Sequence, residues 1–228
     1  MTRRPQAGFT LIELLMSIAI LGFMMVIAWS TTSSTGTAKK NMERLQRRSH
    51  EIRIAMARMA NDLTHAYLSA NEDQSSIERR TLFIGKSGGT VNELRFSSMA
   101  HRTLWADANE SEQTLIAYSA ESDREKSGQT NLIRRESRRL SNEQWKNEPA
   151  EIDVLLRDIV KVSFEYFDWR DNDWRENWDS TQADAQKGRV PYRVRITIEV
   201  HNKETDETLK YTTQTRVRLQ EELRFFTN

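Results

Sequence analysis

The feature that most constrains this chain is one apolar stretch near its N-terminus. Residues Phe9–Trp29 read FTLIELLMSIAILGFMMVIAW, and from Leu14 onward only Ser17 and Gly22 interrupt the apolar residues. An α-helix needs about 20 apolar residues to cross a bilayer. No other segment has comparable apolar length, so we expect one membrane span.

The residues before this span carry positive charge. Arg3 and Arg4 precede it, and the first acidic residue is Glu13. Because Lys and Arg keep their side of a span in the cytoplasm, the sequence predicts a cytoplasmic N-terminus and a translocated C-terminal part. A secretory signal peptide, cut after the span, is one alternative, but residues 28–33 (AWSTTS) offer only weak cleavage sites. A twin-arginine signal is another, although the residues from Pro5 onward do not continue as that signal should.

The start of the span carries a specific motif. Gly8–Glu13 reads GFTLIE, which resembles the class III signal of type IV pilins and pseudopilins. The resemblance implies that a prepilin peptidase cuts after Gly8, on the cytoplasmic side, and methylates the new amine of Phe9. It also implies that the span is retained and packs in the core of a filament. The side chains expected to pack there are Leu11, Ile12, Leu14, Leu15, Ile18, Leu21 and Met25.

Glu13 is the one acidic residue within the apolar stretch, and its presence there requires an explanation. An ionisable side chain inside a membrane span costs several kcal/mol at the centre and less near the interface, so it usually has a partner. Cleavage after Gly8 would create such a partner, the Phe9 ammonium of a neighbouring subunit. The alternative is that Glu13 only reaches into the headgroups.

Beyond the span, the sequence predicts a continued helix and then strands. Residues 30–37 are weak helix formers, so we expect a bend or a melted segment at Gly36. One apolar stripe at helical spacing then extends the predicted helix from Phe9 to Tyr67, with its outer half packed on a globular domain. The members of the stripe are Met42, Leu45, Ile52, Met56, Met59, Leu63 and Tyr67.

The sequence of the C-terminal half predicts antiparallel strands that form a sheet with one face exposed to solvent. The segments 160–167 and 192–200 alternate cleanly between apolar and polar residues. A short helical turn is expected over 151–158 and a charged hairpin connection over 201–208. The predicted strands are Thr81–Lys86, Glu93–Ser97, Thr114–Ser119, Asn131–Arg135, Val160–Phe167, Tyr192–Val200 and Leu209–Leu219.

An acidic loop rich in Trp follows the strand that ends at Phe167. Its carboxylates Asp168, Asp171 and Asp173 are weak candidates for Ca²⁺ ligands, because the Gly and the terminal Glu of an EF-hand loop are missing. Trp is favoured at the centres of protein interfaces. The loop is therefore a candidate contact surface for a partner; the alternative is a solvated turn whose Trp side chains pack against the sheet. Its tryptophans are Trp169, Trp174 and Trp178.

A second resemblance covers this region. Met59–Leu63 looks like the end of the first helix of the minor pseudopilin J family of type II secretion. The C-terminal part is similar to that family at Tyr166, Asp168, Trp174, Trp178, Pro191 and Val194. The resemblance implies an α+β, pilin-like fold in which a long N-terminal helix packs on an antiparallel β-sheet head. Its expected segments are a leader (1–8), a transmembrane helix (9–30), a periplasmic helix (31–70) and a periplasmic head (71–228).

The resemblance also implies a function and partners. A J-type subunit associates with minor pseudopilins of the I and K types at the tip of a periplasmic pseudopilus that drives folded proteins across the outer membrane. The major pseudopilin, the prepilin peptidase and the inner-membrane assembly platform are further implied partners. The expected location is the bacterial inner membrane, crossed once.

Nothing in the sequence indicates an enzyme. The chain has no Cys, which excludes thiolate catalysis and Cys-ligated metals. Its four His are not at metal-ligand spacing, and no G-x-S-x-G turn occurs. The net charge of +1 gives no reason to expect nucleic acid. We therefore expect no cofactor and no catalysis.

Two other functions stay open from the sequence alone. A minor pilin of a type IV pilus or competence system would carry the same N-terminal motif. A single-span periplasmic binding module would retain residues 1–8 and could present its Trp residues to a ligand.

Overall fold

The computed structural model describes residues 10–70, 81–101, 111–123, 125–138, 145–146, 149–202 and 205–224, without the side chains of 31–38 and 41. The chain forms two compact units, Met1–His50 and Glu51–Asn228. The second unit contains all the strands among the described residues and the last turns of the N-terminal helix.

The helix, α1, spans Leu11–Thr64 without interruption. The melted segment that we expected as one alternative at Gly36 is therefore wrong. A Gly in a helix interior costs only about 1 kcal/mol relative to Ala. Since helix growth is cooperative, a stretch of weak formers between two strong segments need not break it. The helix also ends earlier than predicted, because the backbone N–H of Tyr67 donates to the carbonyl of Ser97 in a strand instead of continuing the helix.

Ten strands follow the helix, and all pair antiparallel into two sheets. The strands are β1 (Phe83–Lys86), β2 (Glu93–Ser98), β3 (Thr114–Ser122), β4 (Thr130–Ser137), β5 (Glu151–Leu156), β6 (Lys161–Asp168), β7 (Asp173–Arg175), β8 (Trp178–Asp179), β9 (Arg193–Asn202) and β10 (Glu207–Arg216). The first sheet has the order β5-β4-β3-β2-β1-β8, and the second has the order β10-β9-β6-β7. The predicted combination of a long helix with an antiparallel sheet head is confirmed.

Three strands were missed by the sequence prediction. The helical turn expected at 151–158 is wrong, because Glu151–Leu156 is β5 and pairs with β4. The loop predicted after Phe167 contains β7 and β8. The predicted hairpin between the last two long strands is confirmed, since β9 and β10 pair in register from Asn202↔Glu207 onward.

The helix and both sheets share one hydrophobic core. On α1, Ile52, Met59 and Leu63 are completely buried, whereas Met42 and Leu45, which we expected on the same packed stripe, are exposed. Packing of the helix on the head therefore begins later than predicted.

The predicted alternation of the two long strands is confirmed. The apolar residues of the predicted set are buried in β6 and β9, and most of their polar neighbours are at least partly exposed. Two predictions are wrong: Val160, expected in the buried set, precedes β6 and is exposed, and Thr197, expected on the polar face, is buried. Aromatic contacts connect the sheets. The ring of Phe83 in β1 meets that of Tyr166 in β6 edge-on at 5.8 Å. The buried set comprises Val162, Phe164, Tyr166, Val194, Ile196, Ile198 and Val200.

Candidate functional site

The apolar segment of α1 is the first candidate site. Leu11–Ser30 is long and apolar enough to cross a bilayer, and none of it is buried within the chain. Lipid or other subunits would have to cover this surface, because leaving it in water forgoes the stabilisation of apolar burial. The side chains predicted to pack in a filament are all 53–79% exposed, namely Leu11, Ile12, Leu14, Leu15, Ile18, Leu21 and Met25.

The helix begins with half of a capping box. The hydroxyl oxygen of Thr10 accepts a hydrogen bond from the backbone N–H of Glu13 at 3.4 Å, as an N-cap residue does. The Glu13 side chain is exposed and has no ion-pair partner among the described residues. Gly8 and Phe9, the predicted cleavage and methylation residues, lie outside the described residues.

A buried polar cluster joins the last turns of α1 to the first sheet. The Nε of Arg134 and the hydroxyl of Tyr118 both donate to the same oxygen of Asp62, at 2.6 Å each. Nη1 of Arg134 donates to Glu136 at 2.6 Å, and the other oxygen of Glu136 lies 2.7 Å from Nδ1 of His101. Burial and the neighbouring carboxylate of Asp62 raise the pKa of Tyr118 well above its ordinary range. The cluster gives Asp62, inside the Met59–Leu63 segment, a structural role.

A second buried carboxylate organises the Trp-rich loop. Asp168 is fully buried at the end of β6 and accepts hydrogen bonds from both terminal nitrogens of Arg189, at 3.0 and 3.3 Å. The backbone N–H of Arg170 donates to it at 3.1 Å, and Arg175 Nε lies 3.7 Å away. The indole N–H of Trp178 donates to the Arg189 carbonyl at 2.9 Å. Asp168 therefore holds the two ends of the loop together.

Comparison with known families decides what these features belong to. A family model described as type II secretion system, protein J, matches residues 30–212, well over half of the chain. The chain belongs to this protein J family. A second model, the prokaryotic N-terminal methylation motif, matches residues 3–29. The chain is thus a minor pseudopilin of the type II secretion system, a structural component of that machine.

One solved structure has a similar fold. It is a chain of the GspK–GspI–GspJ complex from the type 2 secretion system of enterotoxigenic Escherichia coli. The match has a TM-score of 0.48 and 15% identity, and it covers 75% of this chain and 97% of that chain. No curated protein matches the chain.

The three tryptophans of this pseudopilin's loop have different surroundings. Trp178 is only 2% exposed and lies in the core, so it cannot serve as a contact residue as we predicted. The physical reason is that β8 pairs with β1 and draws the indole inward. Trp174 is half-buried, with its ring 5.3 Å from that of Phe167. Trp169, at 57% exposed, is the most accessible of the three.

The carboxylates of the same loop do not form a calcium site. Asp168 is occupied by Arg189, and Asp171 pairs with Arg175. Asp173 is exposed and uses a carboxylate oxygen to accept the N–H of Trp174. No group of three or more His, Cys, Asp or Glu suited to a metal ion occurs in the described part of the chain.

Proposed function

We propose that this minor pseudopilin is anchored in the bacterial inner membrane by Leu11–Ser30, with its N-terminus in the cytoplasm and its head in the periplasm. The observation that supports the proposal is an apolar helix surface that none of the described residues covers. The two arginines before the span favour this orientation by the positive-inside rule. The match to the methylation motif over residues 3–29 supports retention of the segment as a mature N-terminal helix.

Maturation is proposed to begin with removal of residues 1–8. Cleavage after Gly8 and methylation of Phe9 would leave an ammonium group at the start of the helix. Glu13, exposed and without an ion-pair partner among the described residues, would then pair with the amine of a neighbouring subunit. An opposite charge of this kind reduces the cost of holding a carboxylate at the membrane.

The assembled position is proposed to be the tip of the pseudopilus. There the subunit would associate with minor pseudopilins of the I and K types and help to initiate the filament on the inner-membrane platform. Subunits of the major pseudopilin would then be added below this tip. Its contribution would be packing and contact, not catalysis. Family membership favours this role over that of a minor pilin in a type IV pilus.

The test is the intact mass of the protein purified from cells with and without the prepilin peptidase. We expect a mass that begins at a methylated Phe9 only when the peptidase is present. Gly8→Val is the matched variant and should keep the full-length mass in both strains. A full-length wild-type protein, or a cut near residues 28–33, would overturn the proposal.

A second measurement separates maturation from assembly. Glu13→Gln should be cleaved like the wild type but should lose co-purification with the I- and K-type subunits. Glu43→Gln, farther along the same helix, is the control and should keep it. If Glu13→Gln assembles normally, the proposed charge pairing is wrong, while the conclusion about cleavage is unaffected.

A further inference from the structure

The outward face of the second sheet carries charged side chains in rows across its strands. In one row, Lys210 of β10 lies opposite Glu199 of β9, with 3.8 Å between Nζ and Oε1. In another, Arg195 of β9 lies opposite Glu165 of β6 and donates to it at 2.9 Å. Both rows thus place a cation beside a carboxylate, as cross-strand neighbours usually do.

The row nearest the Trp-rich loop breaks this rule. Arg193 of β9 and Arg216 of β10 are directly opposite each other, so two guanidinium groups share one position of the face. Both are exposed, and neither has an ion-pair partner in the described ranges of the chain. Like charges directly opposite each other destabilise a sheet. The fold therefore holds two cations together without a carboxylate between them.

Aromatic rings hold these two arginines in place. The guanidinium carbons of Arg193 and Arg216 lie 5.5 and 4.5 Å from the centroid of the same ring, that of Tyr192. Arg193 also lies 6.0 Å from the centroid of Phe167, the next residue along the row. Cation–π contacts stabilise this arrangement and reduce the freedom of the side chains. The planar guanidinium groups are thus ordered before any ligand arrives.

A third arginine lies beside Arg216. Arg218, just beyond β10, is exposed, and it lines an open pocket together with Arg216, Thr64 and Thr215. Its backbone N–H donates to the carbonyl of Thr64 at 3.2 Å, which fixes the position of the residue. No side-chain ion pair of Arg218 occurs in the region that the structure covers. We call Arg193, Arg216 and Arg218 the arginine row.

We propose that the arginine row binds an acidic, extended segment of another protein. Guanidinium groups form paired hydrogen bonds with carboxylates, and three cations without a counter-charge favour an anionic ligand. Alternate residues of an extended segment lie about 7 Å apart on one face, so such a segment can present several carboxylates to the row. The half-buried rings of Tyr192 and Phe167 contact the row and add apolar surface, which a protein segment can use.

An anionic lipid surface fits the row less well. Segments that recognise such lipids usually carry about four to eight Lys or Arg, whereas the arginine row has three arginines, two of which are held against the ring of Tyr192. The inference concerns the head alone. It rests on neither leader cleavage nor assembly at the tip, so it can fail while the proposed function stands.

The test is peptide binding to the full chain in phosphatidylcholine nanodiscs, followed by fluorescence anisotropy. The probe is a labelled octapeptide of alternating Glu and Thr, and its neutral counterpart has Gln in place of Glu. We expect binding of the acidic probe only, weakened about tenfold or more by Arg193→Gln with Arg216→Gln. The matched control, Lys161→Gln with Lys210→Gln, removes the same charge from the same face and should weaken binding by no more than about twofold.

Four results would overturn the proposal. The first is that the acidic peptide does not bind the wild type. The second is that both double variants weaken its binding equally, which would indicate unspecific attraction. The third is that soluble dibutyryl phosphatidylglycerol binds through the arginines while the peptide does not, which would indicate a lipid site. The fourth is that the arginine variant lowers the unfolding temperature by more than about 5 °C, which would mean that the row neutralises carboxylates of its own chain. Equal stability with selective loss of peptide binding supports the proposal.

Discussion

Apolar side chains of the same helix have opposite surroundings in the two compact units. Leu21, in the first unit, is 66% exposed, whereas Leu63, in the second, is completely buried. Both lie in α1, so the helical spacing of apolar residues does not by itself show which of the two is buried. The difference is that the second unit folds its sheets over the helix, while the first has only the helix itself among its described residues. The first unit therefore depends on a membrane or on other subunits for its burial.

The acidic residues of the helix show the same contrast. Asp62 is buried and contacts Arg134, Tyr118 and Arg58, with 3.5 Å between the Arg58 Nε and an oxygen of Asp62. Glu13 is exposed and has no such contact among the described residues. The fold supplies a counter-charge to Asp62, whereas under our proposal the amine of a neighbouring subunit supplies one to Glu13.

The largest expected effect comes from breaking the buried cluster. Asp62→Ala leaves the guanidinium of Arg134, 1% exposed, without one of the two carboxylates that lie 2.6 Å from it. Removing one partner of a buried ion pair costs about 3–5 kcal/mol of unfolding free energy. Urea unfolding of the full chain, followed by tryptophan fluorescence, measures the loss.

Asp153→Ala is the matched control. Asp153 also approaches Arg134, at 3.8 Å, but its side chain is 61% exposed. An exposed pair contributes less than about 1 kcal/mol. Equal losses for the two variants would mean that burial does not govern the strength of the cluster.

The next effect concerns the first unit. Leu21→Arg places a charge in the middle of the apolar segment Leu11–Ser30 and should cost about 2.5–3.5 kcal/mol of membrane insertion. The free energy of unfolding of the head should not change. Carbonate extraction of membranes measures the insertion, with Leu21→Phe as the control. A loss of head stability would contradict the separation of the two units.

A smaller loss is expected where two strands of the head meet. A Cβ on Gly85 would lie 2.6 Å from the Cε2 of Tyr166 and nearer still to its hydroxyl. Gly85→Ala should therefore lower the unfolding free energy by about 1–3 kcal/mol, as overpacking does. The buried Tyr166 hydroxyl has no hydrogen-bond partner in the structure as described. Tyr166→Phe alone should thus cost little, and in the double variant it should recover part of the loss. If the double variant recovers none of the lost stability, the strain does not come from the Tyr166 hydroxyl.

The parts of the molecule that could be predicted are those with a repeating pattern. The apolar stretch and the stripe over Ile52, Met59 and Leu63 indicated the helix, and the alternation over 160–167 and 192–200 indicated the two long strands. β5 was missed because its side chains, from Glu151 to Val154, are exposed on both faces, so the sequence shows no alternation of burial. Short strands such as β8 carry too few residues to show a period.

The buried charges were harder to predict. Asp62 stands on the apolar stripe between Met59 and Leu63, which was the one signal that it needed a buried partner. Its partners lie far away in sequence, on β3 and β4, and only the sheet order brings them together. Trp178 was mistaken for a contact residue for the same reason, because pairing with β1 decides its burial.

The smallest expected effect is a gradual loss of head stability in acid. Burial alone would raise the pKa of Glu136, but the charge of Arg134 and the contact with His101 outweigh it, so the pKa lies below its ordinary value. Arg58 also approaches the carboxylate, at 3.9 Å. The stabilisation is therefore fully present above the ordinary Glu pKa of 4.5 and disappears as the pH falls through the lower, native-state value.

This acid sensitivity should come from one identifiable carboxylate. The urea midpoint of the wild type should fall as the pH is lowered from about 5 to about 3, by less than Asp62→Ala lowers it, because protonation of Glu136 removes only the stabilisation that corresponds to its lowered pKa. Glu136→Gln should begin less stable and lose less over the same range. Glu151→Gln, whose side chain is 65% exposed in its pair with Arg138, should retain the slope of the wild type. If Glu136→Gln keeps the full slope, other carboxylates control the acid response, and the buried cluster stabilises the head through Asp62 alone.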